Sequence, residues 1–202
     1  AYAESIRARF RRLLNLPEIP RTPLRARTTA RFERAGYTVE NVIFESRPGL
    51  CVTANLYLPS GLDRPVPGIL HALGHKWDGK AAEPYQRASI ALVRSGFAVL
   101  AYDPVGQGER VQYWDPLLET SRIARNPYAI AVAEHEYAGM QSLLVGVSMG
   151  GLMVWDAMRA LDYLAGRPEV DPERLGCTGV SGGGVITAYL TALDPRVRAA
   201  AP

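Results

Sequence analysis

Histidine is scarce in this chain of 202 residues: His71, His75 and His135 are the only ones, and none follows residue 135. Cysteine is rarer still. Cys51 and Cys177 stand apart, outside any C-x-x-C or Cys/His cluster, so neither a disulfide framework nor a zinc site is indicated; each reads as a small buried residue on a strand. No apolar run is long enough to cross a bilayer, and no charged-then-apolar leader opens the chain. The numbering starts at Ala1, which leaves the compartment open. Charge of one sign is missing too, since 23 Lys and Arg against 20 Asp and Glu leave a formal +3. Arginines do crowd the first 35 residues (Arg7, Arg9, Arg11, Arg12, Arg21, Arg25, Arg27, Arg31, Arg34). Without a recognition motif or aromatic platform they read as a solvated helix and linker, and no nucleic-acid partner is expected. Internal repeats and low-complexity segments are absent.

What is present is an ordinary globular composition, 48% hydrophobic and 21% charged. The length suffices for one sizeable core. Residues 3–14 place Ile6, Phe10, Leu13 and Leu14 at helical spacing, and Pro17, Pro20 and Pro23 turn the chain into an extended linker. Residues 1–36 are therefore expected to be a helical arm and linker, with the core beginning at residue 37. From Tyr37 to Glu45 and again from Leu50 to Leu58 the pattern alternates every two residues across Arg47-Pro48-Gly49, which predicts an antiparallel hairpin. Short apolar strands (68–73, 97–102, 174–180, 197–201) then alternate with helical segments (84–94, 151–164, 183–193). That succession predicts an α/β fold with a mainly parallel, doubly wound sheet. Residues 110–145 carry no clear period.

Gly179-Val180-Ser181-Gly182-Gly183 is a G-x-S-x-G run between an expected strand and an expected helix. Such a run marks a nucleophile elbow, a tight turn that lifts a serine hydroxyl clear of a sheet edge. Strand and helix can approach that closely only if the residues two places either side are small. A second run, Gly146-Val147-Ser148-Met149-Gly150, competes with it. Ser181 is favoured because Asp171-Pro172-Glu173-Arg174 turns directly into its strand and helices on both sides supply the crossovers that a parallel strand needs. Ser148 reads as a helix N-terminus.

Together, Gly74-His75, Asp78-Gly79-Lys80, Tyr102-Asp103-Pro104-Val105-Gly106-Gln107-Gly108-Glu109-Arg110, Val154-Trp155-Asp156-Ala157, Leu161-Asp162-Tyr163-Leu164, Asp171-Pro172-Glu173-Arg174 and the Ser181 elbow resemble the acetyl xylan esterase-like branch of the α/β-hydrolase superfamily. The resemblance runs from about residue 37 to the end. It implies an α/β-hydrolase fold of which this chain is the N-terminal part. It also implies Ser181 as nucleophile, with oxyanion donors at the backbone N–H groups of Gly182 and His75, although Leu73-Gly74 replaces the family's His-Gly. The superfamily order is serine, then acid, then histidine. His71 and His75 precede Ser181, so their side chains are expected to shape the loop or pocket, and His135 receives no role. Asp194, the only carboxylate after Ser181, reads as a turn residue.

Half of a catalytic machine is thus visible. The chain could be the N-terminal piece of a longer protein, a pseudo-enzyme, or a subunit that borrows residues from a partner. Its end inside an expected strand favours the first, with Val197–Ala201 pairing with a C-terminal complement of the same fold. The expected activity is that of a serine hydrolase of carboxylic esters, removing acetyl groups from a carbohydrate or another small molecule through an acyl-enzyme on Ser181. A non-catalytic binding domain and a prolyl-oligopeptidase-like peptidase fragment are the alternatives. Trp77, Tyr113 and Trp114 are candidates to line a substrate pocket at the strand ends. No metal or cofactor is implied: Asp78, Glu83 and Asp103 lack ligand spacing, and Gly106-Gln107-Gly108 is not a phosphate loop.

Overall fold

The alternation from Tyr37 onward becomes a hairpin of β2 (Tyr37–Arg47) and β3 (Leu50–Pro59), paired antiparallel from Tyr37–Pro59 to Arg47–Leu50. Val42 and Phe44 point inward and are fully buried, while Ile43 and Glu45 lie on the other side. The computed structural model describes residues 2–16 and 19–202, so Pro17 of the expected linker lies outside the described residues. Ahead of the hairpin stand α1 (Tyr2–Leu13) and β1 (Arg27–Arg34). β1 corrects the expectation of a linker up to residue 36, because it pairs antiparallel with β2. It escaped the sequence pattern for a physical reason. An outer strand exposed on both sides needs no apolar alternation, and even Phe32 is 41% exposed.

The apolar runs form β4 (Val66–Ala72), β5 (Ala98–Tyr102), β8 (Val170–Gly179) and β9 (Val197–Ala201). Between them run α2 (Glu83–Arg94), α4 (Met149–Ala165) and α5 (Gly182–Leu193). Residues 110–145 contribute the two-residue strands β6 (Trp114–Asp115) and β7 (Thr120–Ser121) and the helix α3 (Pro127–Leu144). The main sheet has the order β1-β2-β3-β5-β4-β8-β9. It is antiparallel from β1 to β5 and parallel from β5 through β4 and β8 to β9.

Strand alternation sorts the core into two layers. Leu56, Leu70, Leu100, Leu175 and Cys177 pack with Val154, Leu161, Ile186 and Leu190 of α4 and α5, and Phe10 of α1 closes that side. Tyr57, Val99 and Ala101 face the opposite way, against Tyr85 and Val93 of α2. Beside α2, over β4, β8 and β9, lies an apolar cavity of about 610 Å³ lined by Ile69, Ala88, Leu92, Val180 and Ala199. β9 is an outer strand, paired among the described residues only with β8.

Candidate active site

β8 ends at Gly179 and α5 begins at Gly182. The reversal falls on Ser181, whose φ of 59° and ψ of −124° are conformations that a residue with a side chain rarely adopts. Ser181 is exposed at the head of α5. The sharp turn carries α5 against the end of β4. A methyl group built on Gly183 would stand 2.1 Å from the Ala72 carbonyl oxygen, and one on Gly179 would stand 2.5 Å from the same oxygen. No larger residue fits either place, which is why the run needs glycine there. Ser148 sits in ordinary extended backbone at the start of α4 (φ −88°, ψ 147°). Its Oγ accepts from Gly151 N–H at 2.9 Å and donates to the Leu14 carbonyl, so its hydroxyl is engaged in capping and tethering a helix.

The loop after β4 reaches the elbow at Gly74, where a built methyl would lie 2.6 Å from the Val180 carbonyl oxygen and 3.2 Å from Ser181 Cβ. Gln107, almost fully buried, fixes this loop. Its Nε2 donates to the carbonyls of Gly74 (2.8 Å) and Lys76 (3.0 Å), on either side of His75. In a trans peptide the N–H points opposite to the C=O. Clamping the Gly74 carbonyl toward Gln107 therefore turns the His75 N–H away from Gln107. At the elbow, Gly182 is the first residue of α5, and its N–H has no carbonyl one turn earlier in the helix to bond.

Asp103 anchors the same loops from beneath. Its buried carboxylate accepts from Thr53 Oγ1 (2.7 Å), Lys80 N–H (2.7 Å) and Lys80 Nζ (2.6 Å). Arg110 adds a bond to the Asp103 carbonyl (3.0 Å) and a buried ion pair with Asp156 (2.8 Å). Thr53, Lys80, Asp103, Arg110 and Asp156 thus tie β3, the loops after β4 and β5, and α4 into one polar support.

The three histidines separate into two groups. His71, on β4, faces α2 with Nδ1 2.9 Å from Ser89 Oγ, and burial pulls its pKa down to about 4. His75 and His135 meet at the elbow, Nε2 to Nδ1 at 3.0 Å, and His135 Nε2 bonds the Val105 carbonyl at 2.6 Å. Partial burial lowers the pKa of both rings, that of His75 from its packed edge although the residue is exposed, and for His135 the neighbouring His75 adds to the effect. Sequence reasoning missed His135, because its segment showed no periodicity. Asp194 caps the end of α5 and is bonded by Arg196 through Nε (2.9 Å) and an η nitrogen (2.6 Å). Burial pushes its pKa up, but the Arg196 bonds outweigh it and hold it below the usual carboxylate value.

The sequence profile of the acetyl xylan esterase (AXE1) family matches residues 21–202. The chain belongs to this family. It is 30% identical over 206 residues to the Bacillus subtilis protein named "Putative hydrolase YtaP", covering 97% of this chain and 62% of that one. Among solved structures, "Methylesterase BT1017" is 29% identical with a TM-score of 0.73 over 99% of this chain and 40% of its own. The acetyl xylan esterase from Paenibacillus sp. R4, at 20% identity, shares the fold, with a TM-score of 0.64 over 98% of this chain and 57% of its own. The α/β-hydrolase fold is thus established, and the chain spans less than two thirds of these relatives' lengths.

In this acetyl xylan esterase family member the three aromatic candidates fall in two places. Trp77 and Trp114 line one cavity of about 480 Å³ with Asn41, Asn55 and Glu109. Tyr113 instead packs edge-on against Tyr137 of α3 and donates to Gln141 (2.7 Å). Cys177 is buried as expected, bonded to Thr187 at 3.4 Å, and burial pushes its thiol up to about 11. Cys51 departs from expectation. It lies near the start of β3 and is exposed.

Proposed function

We propose that the full-length protein is a serine hydrolase of carboxylic esters, removing acetyl groups from a carbohydrate or another small alcohol. Ser181 Oγ attacks the ester carbonyl as its proton passes to a histidine. The tetrahedral oxyanion collapses to an acyl-serine, and the departing alkoxide takes the proton. Water then attacks the acyl carbon, its proton passing to the same base; the C–Oγ bond breaks, Ser181 Oγ takes that proton back, and the carboxylic acid leaves. The N–H groups of His75 and Gly182 hold the oxyanion, each worth about 3 kcal/mol in the transition state. The acid and the histidine come from a C-terminal complement of the same fold, a reading supported by the 62% coverage of YtaP and by the outer position of β9.

One observation carries this proposal: the strained backbone of Ser181 at a strand-to-helix turn. Strain of this kind persists where a side chain must be held in one place. The alternative, a hydrolase-like domain that only binds, leaves the strain without a use. Turnover of a chromogenic acetyl ester by the full-length protein decides between them. Activity lost in Ser181→Ala and retained in Ser148→Ala supports the proposal, whereas activity surviving Ser181→Ala overturns it.

A further inference from the structure

The bonds of the His75–His135 pair fix where its protons are. The Val105 carbonyl can only accept, so His135 Nε2, 2.6 Å away, carries a hydrogen. With His135 neutral, its Nδ1 is then a bare acceptor. His75 Nε2, 3.0 Å from that atom, must donate to it. The remaining nitrogen, His75 Nδ1, is left as an unprotonated lone pair, and no protein donor reaches it among the described residues.

That lone pair sits at the mouth of the elbow. A methyl built on Gly182 would lie 2.8 Å from His75 Cε1 and 3.0 Å from Nδ1, so the ring packs over the residue that follows Ser181. His75 is exposed there, while His135, on α3, is half-buried and bound to the loop after β5. An acceptor held rigidly from behind and open in front is suited to receive a donor from outside the protein.

Resting on the esterase reading above, we propose that His75 Nδ1 accepts a hydrogen bond from a hydroxyl of the bound ester, and that His135 is the positioning residue that keeps it an acceptor. The pair then selects esters with a free hydroxyl next to the acylated one.

Two measurements on the full-length protein test this. Nitrogen-15 spectra of the imidazoles at neutral pH should show the Nε2–H tautomer for both His75 and His135; an Nδ1–H tautomer at His75 overturns the proposal. Steady-state hydrolysis of 2-hydroxyethyl acetate against 2-methoxyethyl acetate should favour the hydroxyl probe in kcat/KM by roughly 3- to 10-fold, the range of one hydrogen bond. The preference should fall to near unity in His75→Ala. It should fall in His135→Ala and recover in part in His135→Gln, whose amide can both accept from His75 and donate to Val105. Turnover with no preference, or with a preference unchanged in His75→Ala, overturns this inference and leaves the Ser181 proposal standing. Turnover of neither probe overturns both.

Discussion

Holding Ser181 at a φ of 59° costs on the order of 1–3 kcal/mol, which the turn between β8 and α5 imposes on any residue placed there. Glycine alone escapes that cost. Ser181→Gly is therefore expected to be more stable than Ser181→Ala by about 1 kcal/mol, measured by denaturant unfolding; equal stabilities would deny the strain. Gln107 acts through geometry rather than chemistry. Gln107→Leu strands the Gly74 and Lys76 carbonyls and frees the peptide that carries the His75 N–H. Full-length enzyme with this change should lose roughly 10- to 100-fold in kcat with little change in KM, since a misplaced donor affects the transition state more than binding. His71 gives a pH signature. Its folded pKa of about 4 lies below the usual 6.5, so the unfolded chain takes up the proton first as pH falls. The His71 contribution should be nil above pH 6.5, lower stability by on the order of 3 kcal/mol between pH 6.5 and 4, and add nothing further below that. His71→Asn should flatten that decline in unfolding measured across the range.

At the scale of elements, α4 shows how two similar motifs part company. Ser148 closes the first turn of α4 and ties it to α1 through Leu14. Ser148→Ala should cost about 1 kcal/mol in thermal or denaturant unfolding while ester turnover persists. The hairpin, α2, α4 and α5 were legible in the sequence because their apolar residues recur every two or every 3.6 positions, and β4, β5 and β8 because strands covered on both faces read as short apolar runs. β1 was not legible, since a strand exposed on both sides carries no such rhythm. α3 was hidden for the opposite reason: it is apolar nearly all round, yet Tyr128, Met140 and Leu144 are exposed, so no single stripe marks its buried side. The elbow itself could be read because sterics dictate its glycines. The support behind it could not. Gln107, His135 and Asp103 act through contacts between residues about 30 to 60 positions apart, which no local pattern reports.

Across the whole molecule, the sheet is covered unevenly. α1, α4 and α5 cover one side, whereas beside α2 the strands β4, β8 and β9 line an open apolar cavity. β9 is outermost and this chain covers 62% of YtaP, and on the proposal above the remaining catalytic groups lie in the C-terminal complement. The 202-residue chain expressed alone should then hydrolyse no acetyl ester that the full-length protein hydrolyses, although its Ser181 turn is already formed. The central claim, that Ser181 is the nucleophile, is tested most directly by treating the full-length protein with a fluorophosphonate and locating the adduct by peptide mass spectrometry. One phosphonyl group is expected on the peptide carrying Ser181, and none in Ser181→Ala. An adduct on Ser148, or no adduct on folded full-length protein, would contradict it.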